Sequence, residues 1–191
     1  MLQVLIEIND RYSLSEMAQM AVEAGCGWIV LGADMPEAEK REHYPAIVEL
    51  CRESGIMLTV TADVEAAKEF GLHGVFLPLG AASPVKVREE LGAEAVIGAE
   101  TNMSSVAVEL ERADIDYVAV SPDEKASSVI AEIRGAGSQI PVVAYCNSAE
   151  TADIQKLMEA GFSGVCCGKA LFEASDPVAA ISAVLDSLNK R

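Results

Sequence analysis

The sequence predicts an α/β protein, a single small (β/α)₈ TIM barrel with short loops that fills residues 1–191 as one domain. Three observations carry that prediction. Short apolar runs and longer amphipathic stretches alternate strictly, eight of each. The short runs are apolar almost without interruption, the pattern of parallel strands buried on both faces. Finally, Ala24-Gly25-Cys26-Gly27-Trp28-Ile29-Val30 returns loosely as Phe70-Gly71-Leu72-His73-Gly74-Val75-Phe76 and as Ala160-Gly161-Phe162-Ser163-Gly164-Val165-Cys166. The copies lie 46 and then 90 residues apart, close to two and four βα units.

Strands are expected at 2–8, 27–32, 56–61, 74–78, 95–99, 116–121, 140–145 and 163–167. Helices are expected at 13–24, 36–54, 63–70, 83–92, 103–111, 124–136, 149–160 and 170–188. The chain opens directly on a strand, Leu2 to Ile8, with no basic stretch before it, so no signal peptide is expected. The first helix begins at Ser13, with Glu16 at capping-box spacing, and Ser148 and Asp176-Pro177 also suit helix entry. In each copy of the repeated segment a glycine stands where a helix ends. Right-handed parallel crossovers follow from the βαβ order. A doubly wound dinucleotide-binding sheet would show G-x-G-x-x-G after its first strand. Here that turn is Asn9-Asp10-Arg11-Tyr12-Ser13, which contains no glycine. The barrel is favoured, although it is shorter than the usual ~250 residues.

Composition narrows the function. The chain is 51% hydrophobic but only 5% aromatic, so Val, Ile, Leu, Ala and Met must build the core. A net charge of -16 disfavours nucleic acid and anionic membranes as partners and favours solubility. No run approaches the ~20 apolar residues of a membrane span. The five cysteines form no C-x-x-C pair, which argues against disulfides and zinc and for a cytoplasmic location.

In such barrels chemistry sits at the carboxyl ends of the strands. Those ends carry Glu7, Asn9, Asp10 and Arg11, then Asp34, Thr61 and Asp63, Glu100, Ser121, Lys125, Cys146, Asn147 and Ser148, and Cys167, Gly168 and Lys169. Glu7 and Glu100 are candidate acid–base residues, because a carboxylate near an apolar barrel mouth can act as a base when burial raises its pKa. The plainer expectation is that a Lys or Arg neutralises Glu7 and that Glu100 faces solvent. Asn147, Ser148, Cys167, Gly168 and Lys169 are candidates for a phosphate site, which barrels place after strands 7 and 8. The plainer reading there is an ordinary strand-to-helix turn. His43 falls inside a helix and His73 precedes the fourth strand, so no histidine is expected at the mouth. The cysteines read as buried apolar residues, Cys146 being the one thiol placed to react.

Ile8-Asn9-Asp10-Arg11, Val96-Ile97-Gly98, Asp116-Tyr117-Val118-Ala119-Val120-Ser121-Pro122, Ile140-Pro141-Val142-Val143-Ala144 and Ala160-Gly161-Phe162-Ser163-Gly164-Val165 through Ala170-Leu171-Phe172 stand at successive strands. Together they resemble the thiamine phosphate synthase and thiazole tautomerase family over almost the whole chain. The resemblance implies the barrel and either of two activities: joining a pyrimidine pyrophosphate to a thiazole phosphate with Mg²⁺, or isomerising the thiazole. The mouth departs from that family. A Gln-x-Arg-x-Lys run is replaced by Val30-Leu31-Gly32-Ala33-Asp34, and an Asn-Asp pair by Thr61-Ala62, with Asp63 one place on. The His-x-Gly-Gln-x-Asp stretch becomes Phe76-Leu77-Pro78-Leu79-Gly80-Ala81. Glu100 replaces a serine, the Thr-rich loop shrinks to Asp123-Glu124-Lys125-Ala126-Ser127, and the Gly-Gly turn is Tyr145-Cys146-Asn147.

The expectation is therefore a synthase-like barrel that binds a small phosphorylated or heterocyclic ligand, with synthase activity altered or lost. No cofactor is expected, since ligands for Mg²⁺ are not evident. Two alternatives stand beside it, a metal-free tautomerase using a strand-end glutamate and a non-catalytic binding protein. The sequence is also compatible with a homodimer.

Overall fold

The structure, a computed structural model that describes residues 1–33, 35–146 and 149–189, is the expected closed barrel. Its strands are β1 (Leu2–Ile6), β2 (Trp28–Leu31), β3 (Met57–Thr61), β4 (Gly74–Leu77), β5 (Val96–Glu100), β6 (Tyr117–Val120), β7 (Val142–Tyr145) and β8 (Gly164–Cys167). Each pairs in parallel with the next, and β8 pairs back onto β1 through Leu2 opposite Val165. Around them lie α1 (Leu14–Glu23), α2 (Glu37–Ser54), α3 (Val64–Glu69), α4 (Pro84–Leu91), α5 (Ser104–Arg112), α6 (Ala126–Gly135), α7 (Thr151–Glu159), α8 (Lys169–Glu173) and α9 (Pro177–Asn189). No helix among the described residues is long and apolar enough to cross a membrane.

Local chemistry explains the element ends. The Ser13 hydroxyl accepts the Glu16 N–H while the Glu16 carboxylate accepts the Ser13 N–H, the reciprocal cap expected from the spacing. The single helix expected at 170–188 is two helices. Asp176 accepts the Ala179 N–H at 3.0 Å, and Pro177, with no N–H to give, starts a new helix rather than continuing the old one. Two other boundaries bear on the site. The first strand ends at Ile6, and Glu100 is the last residue of β5 rather than lying beyond it.

Most of the core lies between barrel and helices, and a second, smaller cluster fills the barrel itself. That inner cluster contains Leu5, Val30, Phe76, Tyr117, Ala119, Val143 and Cys166. Strand stagger makes each interior layer come from alternate strands. The pairings put Trp28, Gly74, Tyr117 and Gly164 at the floor and Val30, Phe76, Ala119 and Cys166 two levels above it. Leu5, Thr61, Glu100 and Tyr145 form the uppermost filled layer. Gly32, Pro78, Ser121 and Gly168 follow on the even strands, small residues that leave the mouth open above that layer.

Candidate functional site

A column of aromatic rings occupies the barrel axis. Trp28 meets Tyr117 edge-on at 5.3 Å between centroids, and its indole N–H donates to Thr59 Oγ1 at 2.9 Å. Phe76 lies nearly parallel to Tyr117 at 6.3 Å and to Tyr145 at 5.9 Å. Tyr117 fits only because residue 98 lacks a side chain: a Cβ there would overlap its ring. The column ends at Tyr145, which is 38% exposed, with one face resting on Phe76.

Two carboxylates flank that ring. Burial, then the nearby Cys166 thiol, Glu7 and Glu100 all push the Tyr145 hydroxyl above the ordinary phenol range, so it stays protonated. Glu100 is half-buried and accepts the Leu79 N–H at 3.1 Å, a bond that ties the loop after β4 to the mouth. Glu7 is exposed beside Gly32 and makes no hydrogen bond or ion pair with any described residue. Among the described residues no Lys or Arg pairs with Glu7, and Glu100 is tied to the Leu79 backbone as well as reaching solvent. Thr61, at the level of Glu100 and Tyr145, is 6% exposed and its hydroxyl has no hydrogen-bond partner. A buried hydroxyl without a partner is costly, and it marks a place where something polar is missing.

The side of the mouth between the ends of β1 and β8 is built differently. A pocket of about 400 Å³ lies there, lined among others by Glu7, Asp10, Arg11, Lys169 and Glu173. Arg11 bridges it, donating to the carbonyls of Phe172, Glu173 and Ala174 at 3.0–3.2 Å. It thereby caps the carboxyl end of α8, where a cation meets the unsatisfied carbonyls. Lys169 pairs with Glu173 one turn on at 3.7 Å. Gly168 has a packing reason to be glycine, because a Cβ there would overlap the Leu5 carbonyl of β1. Cys167 is buried in the outer core rather than facing the mouth. Asn147 and Ser148, and Asp34, lie outside the described residues.

The remaining candidates differ in how far they are engaged. Asp63 accepts the Ala66 N–H at 2.9 Å as cap of α3, and Lys40 Nζ donates to its other oxygen at 2.5 Å. Partial burial favours the neutral acid, but the bonds from Lys40 and Ala66 outweigh it and hold Asp63 below the usual carboxylate range. Lys125 is exposed, its backbone N–H bonded to Asp123. Among the described residues no three His, Cys, Asp or Glu side chains could together hold a metal ion. With Asp63 engaged by Lys40 and Ala66, the described residues alone do not assemble the hard-oxygen donors that a magnesium ion takes.

Cys146 is half-buried, and its hydrogen bond to Cys167 together with burial pushes the Cys167 thiol far up. Burial does the same to Cys166, which makes both poor nucleophiles. His43 bonds to Ser15 on α1, and His73 accepts the Leu58 N–H at 3.1 Å below the mouth.

Sequence reasoning did not find the aromatic column, the Arg11 bolt or the orphan Thr61 hydroxyl. A signal for the first was present, since four of the chain's nine aromatic residues fall within the strands β2, β4, β6 and β7.

The family model described as thiamine monophosphate synthase matches residues 3–171. The thiamine-phosphate synthase of Bacteroides fragilis is 30% identical over 97% of this chain and 98% of that protein. That of Bacteroides thetaiotaomicron is 28% identical over 97% and 96%. Among solved structures, a thiamine phosphate pyrophosphorylase from Pyrococcus furiosus superposes with a TM-score of 0.83 at 20% identity, covering 99% of this chain and 95% of that one. Tryptophan synthase from M. tuberculosis reaches 0.75 at 18%, covering 98% and 92%. At such identities these two speak for the fold alone.

Proposed function

The chain belongs to the thiamine monophosphate synthase family, and from that premise we propose that it is a divergent member with an altered or lost synthase reaction. In this reading it holds a small phosphorylated or heterocyclic ligand at the carboxyl end of the barrel. The observation that carries the reading is the allocation of charge. The synthase reaction releases a pyrophosphate, whose growing negative charge needs cations or a metal beside it. Here Arg11 is bound to α8 and Lys169 to Glu173, while Asp63 is neutralised by Lys40. Glu7 and Glu100 pair with no cation among the described residues and would repel the departing anion. A phosphate on the ligand would lie near Gly168 and Lys169.

The test is turnover of a pyrimidine pyrophosphate and a thiazole phosphate at saturating magnesium, beside the Bacteroides fragilis enzyme. Loss of several charge-stabilising groups should slow the reaction at least about a thousandfold. Equal rates would overturn the reading. A second reading, metal-free tautomerisation with Glu7 or Glu100 as base, is favoured by Glu7 lacking a cationic partner. It requires a pH–rate profile that collapses in Glu7→Gln or Glu100→Gln, and it fails if both variants turn over normally.

A further inference from the structure

Three of the five cysteines gather where β7 and β8 end, and two of them share a side. The ladder shows which two. Tyr145 stands opposite Cys166 in the β7–β8 register, and the Cys146 N–H continues the pairing by donating to the Cys166 carbonyl at 2.9 Å. Cys146 is thereby set opposite Cys167. Successive strand residues point to opposite faces, so Cys166 turns into the barrel with Phe76 and Tyr117 while Cys167 joins the outer core. Cys146 packs against that same outer core, and its thiol and the Cys167 thiol are hydrogen-bonded to one another.

Two thiols so placed meet the main geometric demand of a disulfide. Neighbouring strands lie about 4.7–4.9 Å apart, inside the Cα separations of about 4.4–6.8 Å that disulfides span. The Cβ atoms must draw a little closer than that spacing, to about 3.5–4.5 Å. Cys146 lies one residue past the end of β7 and is only half-buried, so it can make the move. Exposure divides the work between the two sulfurs. Cys146 can meet a reagent from solvent, whereas Cys167 is 1% exposed. The bond to Cys146, and then burial, hold Cys167 in its thiol form, which shields it from direct attack. Toward a sulfur already in contact with it, the same thiol has the advantage of an intramolecular partner. The other cysteines are worse placed: Cys166 faces the opposite side of β8, and Cys26 and Cys51 are both buried.

We propose that Cys146 and Cys167 are an oxidative modification site, a dithiol that hydrogen peroxide converts to a disulfide across the ends of β7 and β8. Peroxide transfers one oxygen to the Cys146 sulfur, which becomes a sulfenic acid, and leaves as water. The Cys167 sulfur then attacks that of Cys146; the S–O bond breaks as the S–S bond forms, and the departing hydroxide takes the Cys167 proton as a second water. Two thiols thus lose two electrons and two protons while one peroxide becomes two waters. Half-exposed and drawn tight between adjacent strands, the bond belongs with the labile disulfides that a dithiol reductant reopens. It would tie down the corner beside Gly168 and Lys169, although its formation does not rest on a phosphate binding there.

The test treats the reduced, intact chain with a modest excess of hydrogen peroxide and counts thiols after denaturation. The count should fall from five to three, the mass should drop by two hydrogens, and dithiothreitol should restore both. Cys166→Ala should still close the bond and lose two thiols. Cys146→Ser should keep all four of its thiols, and Cys167→Ala should stop at a Cys146 sulfenic acid that dimedone traps. Cys146→Ser, at the half-buried position, carries the test alone if Cys167→Ala does not fold. A count that stays at five, a bond that joins two chains or other cysteines, or loss of two thiols in Cys146→Ser would overturn the inference. Thiol counts decide this site and the synthase assay decides the reading of function, so either can fail without the other.

Discussion

The two sides of the barrel mouth solve the same electrostatic problem in opposite ways. Between β1 and β8 the cations have partners: Arg11 caps α8, and Lys169 faces Glu173. On the axis, Glu7 and Glu100 act on an exposed aromatic ring and pair with no cation among the described residues, and the Thr61 hydroxyl beside them has no hydrogen-bond partner. A cation that is already paired stabilises the fold, and a ligand must compete with its partner. An unsatisfied group costs stability until something binds, which is how sites differ from scaffolds.

The largest effect should come from undermining the axis. Gly98→Ala places a methyl group in the space of the Tyr117 ring and should cost about 3 kcal/mol in urea unfolding, since overpacking forces the column to shift. The Tyr145 platform should loosen with it.

Next comes an attempt to make the satisfied part of the mouth resemble the unsatisfied one. Lys40→Met strips Asp63 of its cation, and because both groups are partly buried it should cost about 1–2 kcal/mol at neutral pH. The pH dependence has a definite sign. Asp63 is held below its unfolded value, so its contribution is present above the ordinary carboxylate range and lost as pH falls through the depressed folded value. Burial works against the Lys40 charge, but its bonds to Asp63 and Glu37 prevail and raise it. Its contribution is therefore full below the ordinary lysine range and lost as pH rises through the raised value. Thermal melts of wild type and variant should differ most near neutrality and converge at both extremes; a constant gap would contradict the pairing.

Smallest is Lys169→Ala. Lys169 and Glu173 are 71% and 62% exposed, so breaking their pair should change stability by less than about 0.5 kcal/mol.

The barrel was legible because its signals are local and repeated. Apolar runs, the Ser13 cap and the glycine-marked repeats each act within a few residues, and eight copies reinforce one another. The site was legible only as a set of strand ends. Glu7 and Glu100 stood out because a carboxylate is conspicuous in an apolar strand. What each does depends on partners far away in sequence, such as Leu79 for Glu100 and Phe172 to Ala174 for Arg11. The aromatic column was hidden for a related reason. Strands buried on both faces show no alternation, so nothing in Phe76 or Tyr117 says that it faces the axis rather than the helices. Gly168 carried an ambiguous signal: a glycine suited to an anion is equally one that lets the Leu5 carbonyl pass.

The contrast between the two sides is tested most directly by mapping amide chemical shifts during titration with inorganic phosphate. Phosphate should move Gly168 and Lys169 and leave Thr61, Glu100 and Tyr145 on the axis untouched. Phosphate shifts centred on Tyr145 would contradict the account.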